Sequence, residues 1–105
     1  MTDPVNAIAR QVGRRCAPFA VAGVDDRRSV PWRSLLFDGA CHRIELSLSC
    51  ERVDEALSAL EEMTGDADFA VAGHLVVELR VAEVTRTGQD LLVTLDAITI
   101  EASDQ

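Results

Sequence analysis

The side chains most able to do chemistry in this sequence are two histidines and three cysteines. Cys41 and His42 are adjacent, and Cys50 ends the same alternating segment. Residues of opposite parity on one strand face opposite sides of a sheet, which separates Cys41 from Cys50 as metal ligands. We therefore expect no metal and no cofactor. His42 is expected at the edge of the core and His74 at the start of a strand.

The cysteines, Cys16, Cys41 and Cys50, are odd in number and show no Cys-x-x-Cys spacing. That arrangement predicts buried, reduced thiols in place of a disulfide framework. The sequence also contains no Gly-x-Gly-x-x-Gly, Walker loop or Gly-x-Ser-x-Gly motif. No catalytic residue is predicted, and we expect a protein that is not an enzyme.

Charge is distributed unevenly along the chain, whose formal net charge is −8. Residues 1–43 hold seven arginines and four acids, net +3, whereas residues 44–105 hold three arginines and fourteen acids, net −11. The total argues against general nucleic-acid binding, which needs clustered cations against phosphate. Every basic residue is arginine, which pairs bidentately with carboxylates, so the two halves could meet across a subunit boundary. The alternative is a compositional bias toward arginine.

The acidic residues Glu61, Glu62, Asp66 and Asp68 cluster around the end of a predicted helix. Such a cluster is either a solvated surface or a docking patch for basic residues, and the sequence leaves both open.

Two long strands near the C-terminus organise the rest of the chain. Residues 74–85 and 90–101 alternate apolar and polar side chains with the period of two expected of strands, and the turn at Thr87–Gln89 joins them as an antiparallel hairpin. The apolar positions change parity between Leu95 and Ile98. This change predicts a bulge or a new packing partner near Asp96–Ala97.

The first half of the chain predicts a helix, a short strand and a hairpin. Asp3-Pro4 is a typical helix start, and the helix is expected over residues 4–13 with Gly13 as its end. Residues 18–24 read as a short strand, and residues 25–29 as an exposed loop. Asp38-Gly39 predicts the turn of a hairpin between residues 35–37 and 41–49.

A second amphipathic helix is predicted over residues 51–64, where apolar residues recur at helical spacing and Gly65 follows. The order of elements predicts an α+β fold, with two helices packed on an antiparallel β-sheet built from hairpins, in a single domain spanning residues 1–105. Phe-Ala-Val-Ala-Gly occurs at 19–23 and 69–73, either by duplication of a unit or by chance. Lack of a long apolar run or a secretion signal predicts a cytoplasmic protein without a membrane partner.

Several segments, taken together, resemble a known family. In order along the chain they are Pro18-Phe19-x-Val21-x-Gly23, Trp32, Gly39-x-x-His42-x-Ile44-x-Leu46, a helix with Ala56-Leu57, and Ala72-Gly73-His74-Leu75-Val76-x-x-Leu79-Arg80. This order resembles the tail-completion or tail-terminator proteins of long-tailed phages and gene transfer agents. The likeness covers nearly the whole chain. It departs from the family in a short connection before Pro18 and in strands with few aromatic residues.

The resemblance implies a structural subunit that assembles with copies of itself, usually as a six-membered ring, on the end of the tail tube. Its partners would be the tail tube protein and the head-side connector or stopper protein, and DNA would pass through without specific binding. An acidic subunit would repel that DNA weakly. The neighbouring joining proteins of the neck have similar size and content.

The charge asymmetry and the resemblance together predict an interface between subunits. Its candidate residues are Arg27, Arg28, Trp32 and Arg33 on one subunit and Glu61, Glu62, Asp66 and Asp68 on the next. Two other classes stay open. A dimeric α+β binding module would have a ligand-sized pocket and a two-fold interface, and an enzyme would need a cleft joining His42 or His74 to a carboxylate.

Overall fold

The computed structural model describes residues 4–63, 70–71 and 73–101. Two helices and five strands follow the order α1 (Pro4–Cys16), β1 (Ala20–Arg33), β2 (Asp38–Cys50), α2 (Val53–Met63), β3 (Ala70–Val71), β4 (His74–Thr87) and β5 (Asp90–Glu101). All strand pairs are antiparallel. The predicted α+β class, with helices on an antiparallel sheet of hairpins, is confirmed.

The strands lie in the order β1-β2-β5-β4-β3, so β2 and β5 are central. Because each neighbour is antiparallel to the next, β1 runs parallel to β5 and opposite to β4. The pairing of the last two strands is the predicted hairpin. The strands define the long axis of the molecule, whose extents are 47 × 24 × 20 Å.

One face of the sheet forms the core with the helices. On β2, Ile44, Leu46 and Leu48 are at most 1% exposed, and each pairs with a buried leucine or valine of β5. The apolar stripes of both helices close over this face, and their most deeply buried members are Val5, Ile8, Val12 and Cys16 of α1 with Ala56 and Leu60 of α2. We call the opposite face of the sheet, which carries Arg43, Arg80 and Asp96, the open face.

Helix α1 was predicted to end at Gly13, but it continues to Cys16. A glycine inside a helix costs about 1 kcal/mol relative to alanine. Burial of Val12 and Cys16, both 0% exposed, offsets that cost, and Gly13 lies where an added Cβ would be 3.6 Å from the Cβ of Ala22. Helix α2 is described to Met63, and Gly65 lies outside the described residues.

The predicted exposed loop at residues 25–29 is wrong, because these residues belong to β1, which continues to Arg33. One bulge at Asp25 interrupts the pairing of β1 with β2. Since β1 is an edge strand with polar side chains exposed on both faces, its middle lacks the period-two pattern that identifies a half-buried strand.

The predicted turn at Asp38-Gly39 is also wrong. Both residues lie in β2, and Ser34–Phe37 connects the strands. The Ser34 backbone N–H donates to the Phe37 carbonyl oxygen at 2.8 Å, and the Phe37 N–H donates to Ser34 Oγ at 3.0 Å. These bonds close the turn without a primed Asp-Gly pair, so Gly39 has another role.

Of the two alternatives predicted near Asp96–Ala97, the bulge does not occur, whereas the apolar residues do change the face on which they pack. The register of β5 with β2 is continuous, and Ala97 and Thr99 continue the buried face while Ile98 and Ile100 lie half-buried on the open face. The register shifts lie on β4, at Val77 and Ala82. A small residue and a hydroxyl can fill a core position, so apolar parity alone misidentified the face. Of the two Phe-Ala-Val-Ala-Gly copies, the first enters β1, and residues 69 and 72 of the second lie outside the described part.

Candidate interface on the sheet edges

His42, which was predicted at the edge of the core, is buried within it. It is 4% exposed and lies between two hydroxyl groups, with Nδ1 2.7 Å from Ser29 Oγ and Nε2 2.8 Å from Thr99 Oγ1. In neutral histidine one ring nitrogen carries a proton and the other does not, so one hydroxyl accepts a hydrogen bond from the ring and the other donates to it. Both ring nitrogens therefore have a hydrogen-bond partner. Within the described residues, no three His, Cys, Asp or Glu side chains converge to hold a metal ion. His74 begins β4.

The thiols differ in environment. Cys16 and Cys50 are buried and unbridged, whereas Cys41 is exposed on the open face, contrary to the expectation of three buried thiols. Burial is the main reason that the pKa of Cys16 rises to about 11, and it also raises the pKa of Cys50. Both buried thiols therefore stay protonated at neutral pH and are poor nucleophiles.

A row of three charged side chains crosses the open face. Arg43 donates from Nε and Nη2 to the two carboxylate oxygens of Asp96 at 2.9 and 3.1 Å, and Arg80 Nη2 lies 3.2 Å from Asp96 Oδ2. The hydrogen bond from Arg43 is the largest cause that holds the pKa of Asp96 below its ordinary value. The same bond raises the pKa of Arg43. The row links β2, β5 and β4 through their side chains.

The four candidate residues of the basic half, Arg27, Arg28, Trp32 and Arg33, all lie on β1. Arg27 Nη1 contacts the side-chain oxygen of Asn6 on α1. Arg28 lies 3.9 Å from Asp26, and Arg33 3.6 Å from Asp38, in exposed pairs of small energetic value. The strand therefore presents its arginines along one edge of the sheet.

Trp32 lies over Gly39, its partner on β2. A Cβ at Gly39 would overlap the backbone carbonyl oxygen of Thr99 and would approach the indole ring to 2.6 Å, which is closer than packing allows. Gly39 is therefore required by the close approach of both the Thr99 backbone and the Trp32 ring, and the glycine has this role in place of a turn.

Two of the four acidic candidates lie in the described residues, on a different element from the arginines. Glu61 and Glu62 are exposed in the last turn of α2, while Asp66 and Asp68 lie outside the described residues. The start of α2 lies near β4, where Asp54 is 3.5 Å from Arg86.

Formal charge has opposite sign at the two edges of the sheet. The edge strand β1 carries three arginines and two aspartates, and α1, which packs against β1 and extends across the sheet to β3, carries three arginines and no acid, which gives +4. At the other edge, α2 carries four acids and no base and β4 carries two glutamates and two arginines, which gives −4. The charge split along the sequence thus becomes a split between edges.

A groove runs between α1 and the outer side of β1, with a volume of about 600 Å³. Its walls are mostly small and apolar, including Ala9, Gly13 and Ala22, and Arg10 and Arg14 lie on its helical side. Val21 on its floor is 75% exposed. Sequence reasoning missed this groove because the residues of α1 and β1 are small on their facing sides.

The tip of the β1–β2 hairpin is apolar and exposed. Leu35 and Leu36 are 104% and 83% exposed, and Phe37 is half-exposed. These residues were predicted to form a strand arm, whereas the Ser34 hydrogen bonds hold them in an ordered turn at one end of the molecule. Consecutive exposed apolar side chains of this size are typical of a contact surface.

Comparison of the chain with protein-family models, with curated proteins and with solved structures gives no match. Neither described helix has the length and apolar content that a bilayer-spanning helix requires.

Proposed function

We propose that this protein is a structural, non-enzymatic subunit of a phage-like particle. In this proposal copies of the chain form a ring on the end of the tail tube, stop further tube polymerisation and join the tail to the head-side connector. The observation that carries the proposal is the opposite formal charge of the two sheet edges, +4 on α1 and β1 and −4 on α2 and β4. The resemblance of the Gly-x-x-His and Gly-His-Leu-Val segments to tail terminators supports the same role.

Opposite charge at opposite edges favours a head-to-tail contact. In a two-fold dimer each surface patch meets its own copy, so a basic edge would face a basic edge. In a cyclic assembly each basic edge meets the acidic edge of the next subunit, and the contact repeats until the ring closes. The resemblance gives six as the expected number of subunits.

The exposed Leu35-Leu36-Phe37 turn lies at one end of the strands, where it continues the edge strand β1 beyond Arg33. In a ring whose axis follows the strands, one such turn from each subunit would meet the next component along the axis, either the tail tube protein or the head-side stopper protein. DNA would pass through the ring without specific binding, since a subunit of net charge −8 repels phosphate. The protein would be made in the bacterial cytoplasm and end in the tail or neck of the particle.

Removal of the gene from cells that make the particle tests this function. We expect tails of uncontrolled length that lack heads, seen by electron microscopy, and restoration of normal length by a plasmid copy. Native mass spectrometry of the purified protein should show a closed oligomer as its largest discrete species. Tails of normal length joined to heads in the deletion strain would overturn the proposal.

A second candidate is a dimeric module that binds an acidic, apolar peptide, and the groove between α1 and β1 favours it. Arg10 and Arg14 flank this groove, and its floor is apolar. This alternative requires a discrete two-fold dimer, so the same native mass measurement distinguishes it from a ring.

A further inference from the structure

Resting on the proposed ring, we infer that neighbouring subunits join sheet edge to sheet edge. Strand β1 of one copy pairs antiparallel with β4 of the next, in a register that places Arg28 opposite Glu83. The occupant of each free edge is therefore a second copy of this chain, and the sheets of all the subunits become one closed sheet.

Both edges of the sheet are long and open. Strand β1 has 14 residues and stands at one end of the strand order. At the other end, β3 covers β4 only at His74 and Leu75, so within the described residues no strand covers the outer side of β4 from Val76 to Thr87. Long unpaired edges are sites of association between chains, and closure into a ring removes both of them.

The strand directions suit this contact. Strands β1 and β4 run in opposite directions within one subunit. Rotation about a ring axis that follows the strands keeps the direction of every strand, so β4 of the next copy arrives antiparallel to β1. The pairing is then antiparallel at each boundary for any number of subunits.

The register follows from three limits. Arg28, Arg43, Asp96 and Arg80 are successive cross-strand partners and form one row across the sheet. If neighbouring sheets joined with their rows aligned, that is without a stagger, Arg28 would lie against Arg80 of the neighbour. Trp32 is level with Leu75, where β3 already occupies the edge. An odd stagger would turn open-face residues against the core face, so the stagger must be even.

A stagger of two residues away from β3 is the smallest that meets these limits. Arg80 pairs with Asp96 of β5 and Glu83 pairs with Thr94, two residues away on β5. Because of the bulge at Ala82, Glu83 is therefore two positions from Arg80 along the sheet, on the same open face. Arg28 then faces Glu83, an opposite charge, and Arg33 ends at Val76, just short of β3. Opposite charges directly across antiparallel strands are favourable, and like charges are unfavourable.

The edges are irregular, which affects how strongly they pair. Bulges at Asp25 on β1 and at Val77 and Ala82 on β4 divide the ladder into short straight stretches. Bulges weaken indiscriminate edge pairing. The register therefore depends on side-chain complementarity. We expect a substitution at Arg28 or Glu83 to affect the pairing of the two edges most.

Intermolecular disulfide formation tests the register. The chain is first freed of its own thiols by Cys16→Ala, Cys41→Ala and Cys50→Ala, and the fold is checked by circular dichroism. Arg28→Cys with Glu83→Cys is then oxidised, because residues directly opposite on antiparallel strands have Cα atoms within the range that a disulfide spans. We expect a ladder of covalent oligomers on a non-reducing gel that ends at the ring size.

The matched control is Arg28→Cys with Glu78→Cys, which also replaces an open-face glutamate of β4. In the inferred register Glu78 faces Trp32, roughly 13 Å along the strand from Arg28, so we expect no crosslink. A crosslink in the control but not in the first variant would overturn the register. The unmodified protein provides a second readout, since amides of β1 and β4 should exchange at least tenfold more slowly in the ring than in the monomer.

The outcomes separate this inference from the proposed function. A ring by native mass spectrometry, with no crosslink and no protection of β1 or β4, would overturn edge pairing and leave the ring standing. A protein that neither assembles nor crosslinks at any concentration would overturn both.

Discussion

Asp96 has the most constrained charge that we find in the described residues. Its carboxylate accepts two hydrogen bonds from Arg43 and one from Arg80, and its side chain is only 20% exposed. A folded-state pKa below the unfolded value means that the ionised form is favoured in the native protein. The resulting stability is present above the unfolded pKa of about 3.9 and is lost as pH falls through the lower folded pKa.

Asp96→Asn should therefore lower the unfolding free energy at pH 7 by about 1 kcal/mol, reduced from a fully buried value by solvent around the arginines. The deficit should shrink as pH falls below about 4, because wild type then loses the same ionised group. Urea denaturation at pH 7 and at pH 3 measures both values. An equal deficit at the two pH values would assign the effect to packing. Glu45→Gln, on the same face of β2, is the control.

Gly39→Ala should destabilise the fold by about 1 to 3 kcal/mol, because the added methyl would overlap the Thr99 backbone carbonyl oxygen and the Trp32 ring. Thermal unfolding followed by circular dichroism measures the change. Gly23→Ala, at a β1 position where an added Cβ meets nothing within 4 Å, should change stability by less than about 1 kcal/mol. Equal shifts in the two variants would show that neither the Thr99 carbonyl nor the Trp32 ring requires the glycine.

At the scale of elements, the β1–β2 hairpin combines two features of different origin. Its paired arms are held by backbone hydrogen bonds and carry exposed charge, whereas its turn carries exposed apolar side chains. The turn is ordered by Ser34, so it presents Leu35 and Leu36 without the entropic cost of folding on contact. An ordered apolar projection is suited to binding a groove on a partner.

Leu35→Ser with Leu36→Ser should leave the unfolding free energy within about 0.5 kcal/mol of wild type, since both side chains are already in water. The same variant should bind tail tubes or the stopper protein at least tenfold more weakly, measured by cosedimentation or by surface plasmon resonance. Leu92→Ser, which changes an exposed leucine elsewhere on the open face, is the matched control. Undiminished binding by the double variant would place the axial contact elsewhere.

At the scale of the whole molecule, the chain is a dipole across its sheet. Strand β1 lies at one edge with Arg10 and Arg14 of α1 beside it, and the start of the acidic helix α2 lies near β4 at the other. A contact between edges brings these charges together once at every boundary. Exposed pairs contribute only about 0.2 to 1 kcal/mol each, but a ring repeats them.

Arg27→Glu with Arg28→Glu should weaken ring assembly, more at low salt than at high salt, and should leave the monomer's thermal unfolding nearly unchanged. Analytical ultracentrifugation over a range of salt concentrations measures the assembly. A reversal at Arg52, which precedes α2, controls for the change in net charge. Assembly that is insensitive to Arg27 and Arg28 at low salt would make the charge asymmetry compositional.

Second-site reversals identify the acids that face these arginines. Glu61→Arg with Glu62→Arg should recover part of the loss if α2 supplies the contact. Glu83→Arg should recover more if the strands themselves pair in the inferred register.

The sequence alone determined the elements whose burial is one-sided. Apolar residues alternate on β2 and β5 and recur at helical spacing on α1 and α2, because each of these elements buries one face. Strand β4 was also predicted from alternation, but only its Leu79 is buried and two register shifts interrupt the pattern. The placement of Cys41 and Cys50 on opposite faces followed from parity and is confirmed.

Only the tertiary structure decided what happens where burial is slight or where partners come from distant segments. The middle of β1 is held by backbone pairing with β2, which does not require an alternation of apolar and polar side chains. Its sequence was therefore interpreted as a loop. Asp96 meets Arg43 and Arg80 because three strands are in register, and Gly39 is required by a tryptophan on β1 and a backbone carbonyl on β5. Hydrophobic periodicity records which side chains leave water, whereas register and strand order depend on backbone pairing across the whole sheet.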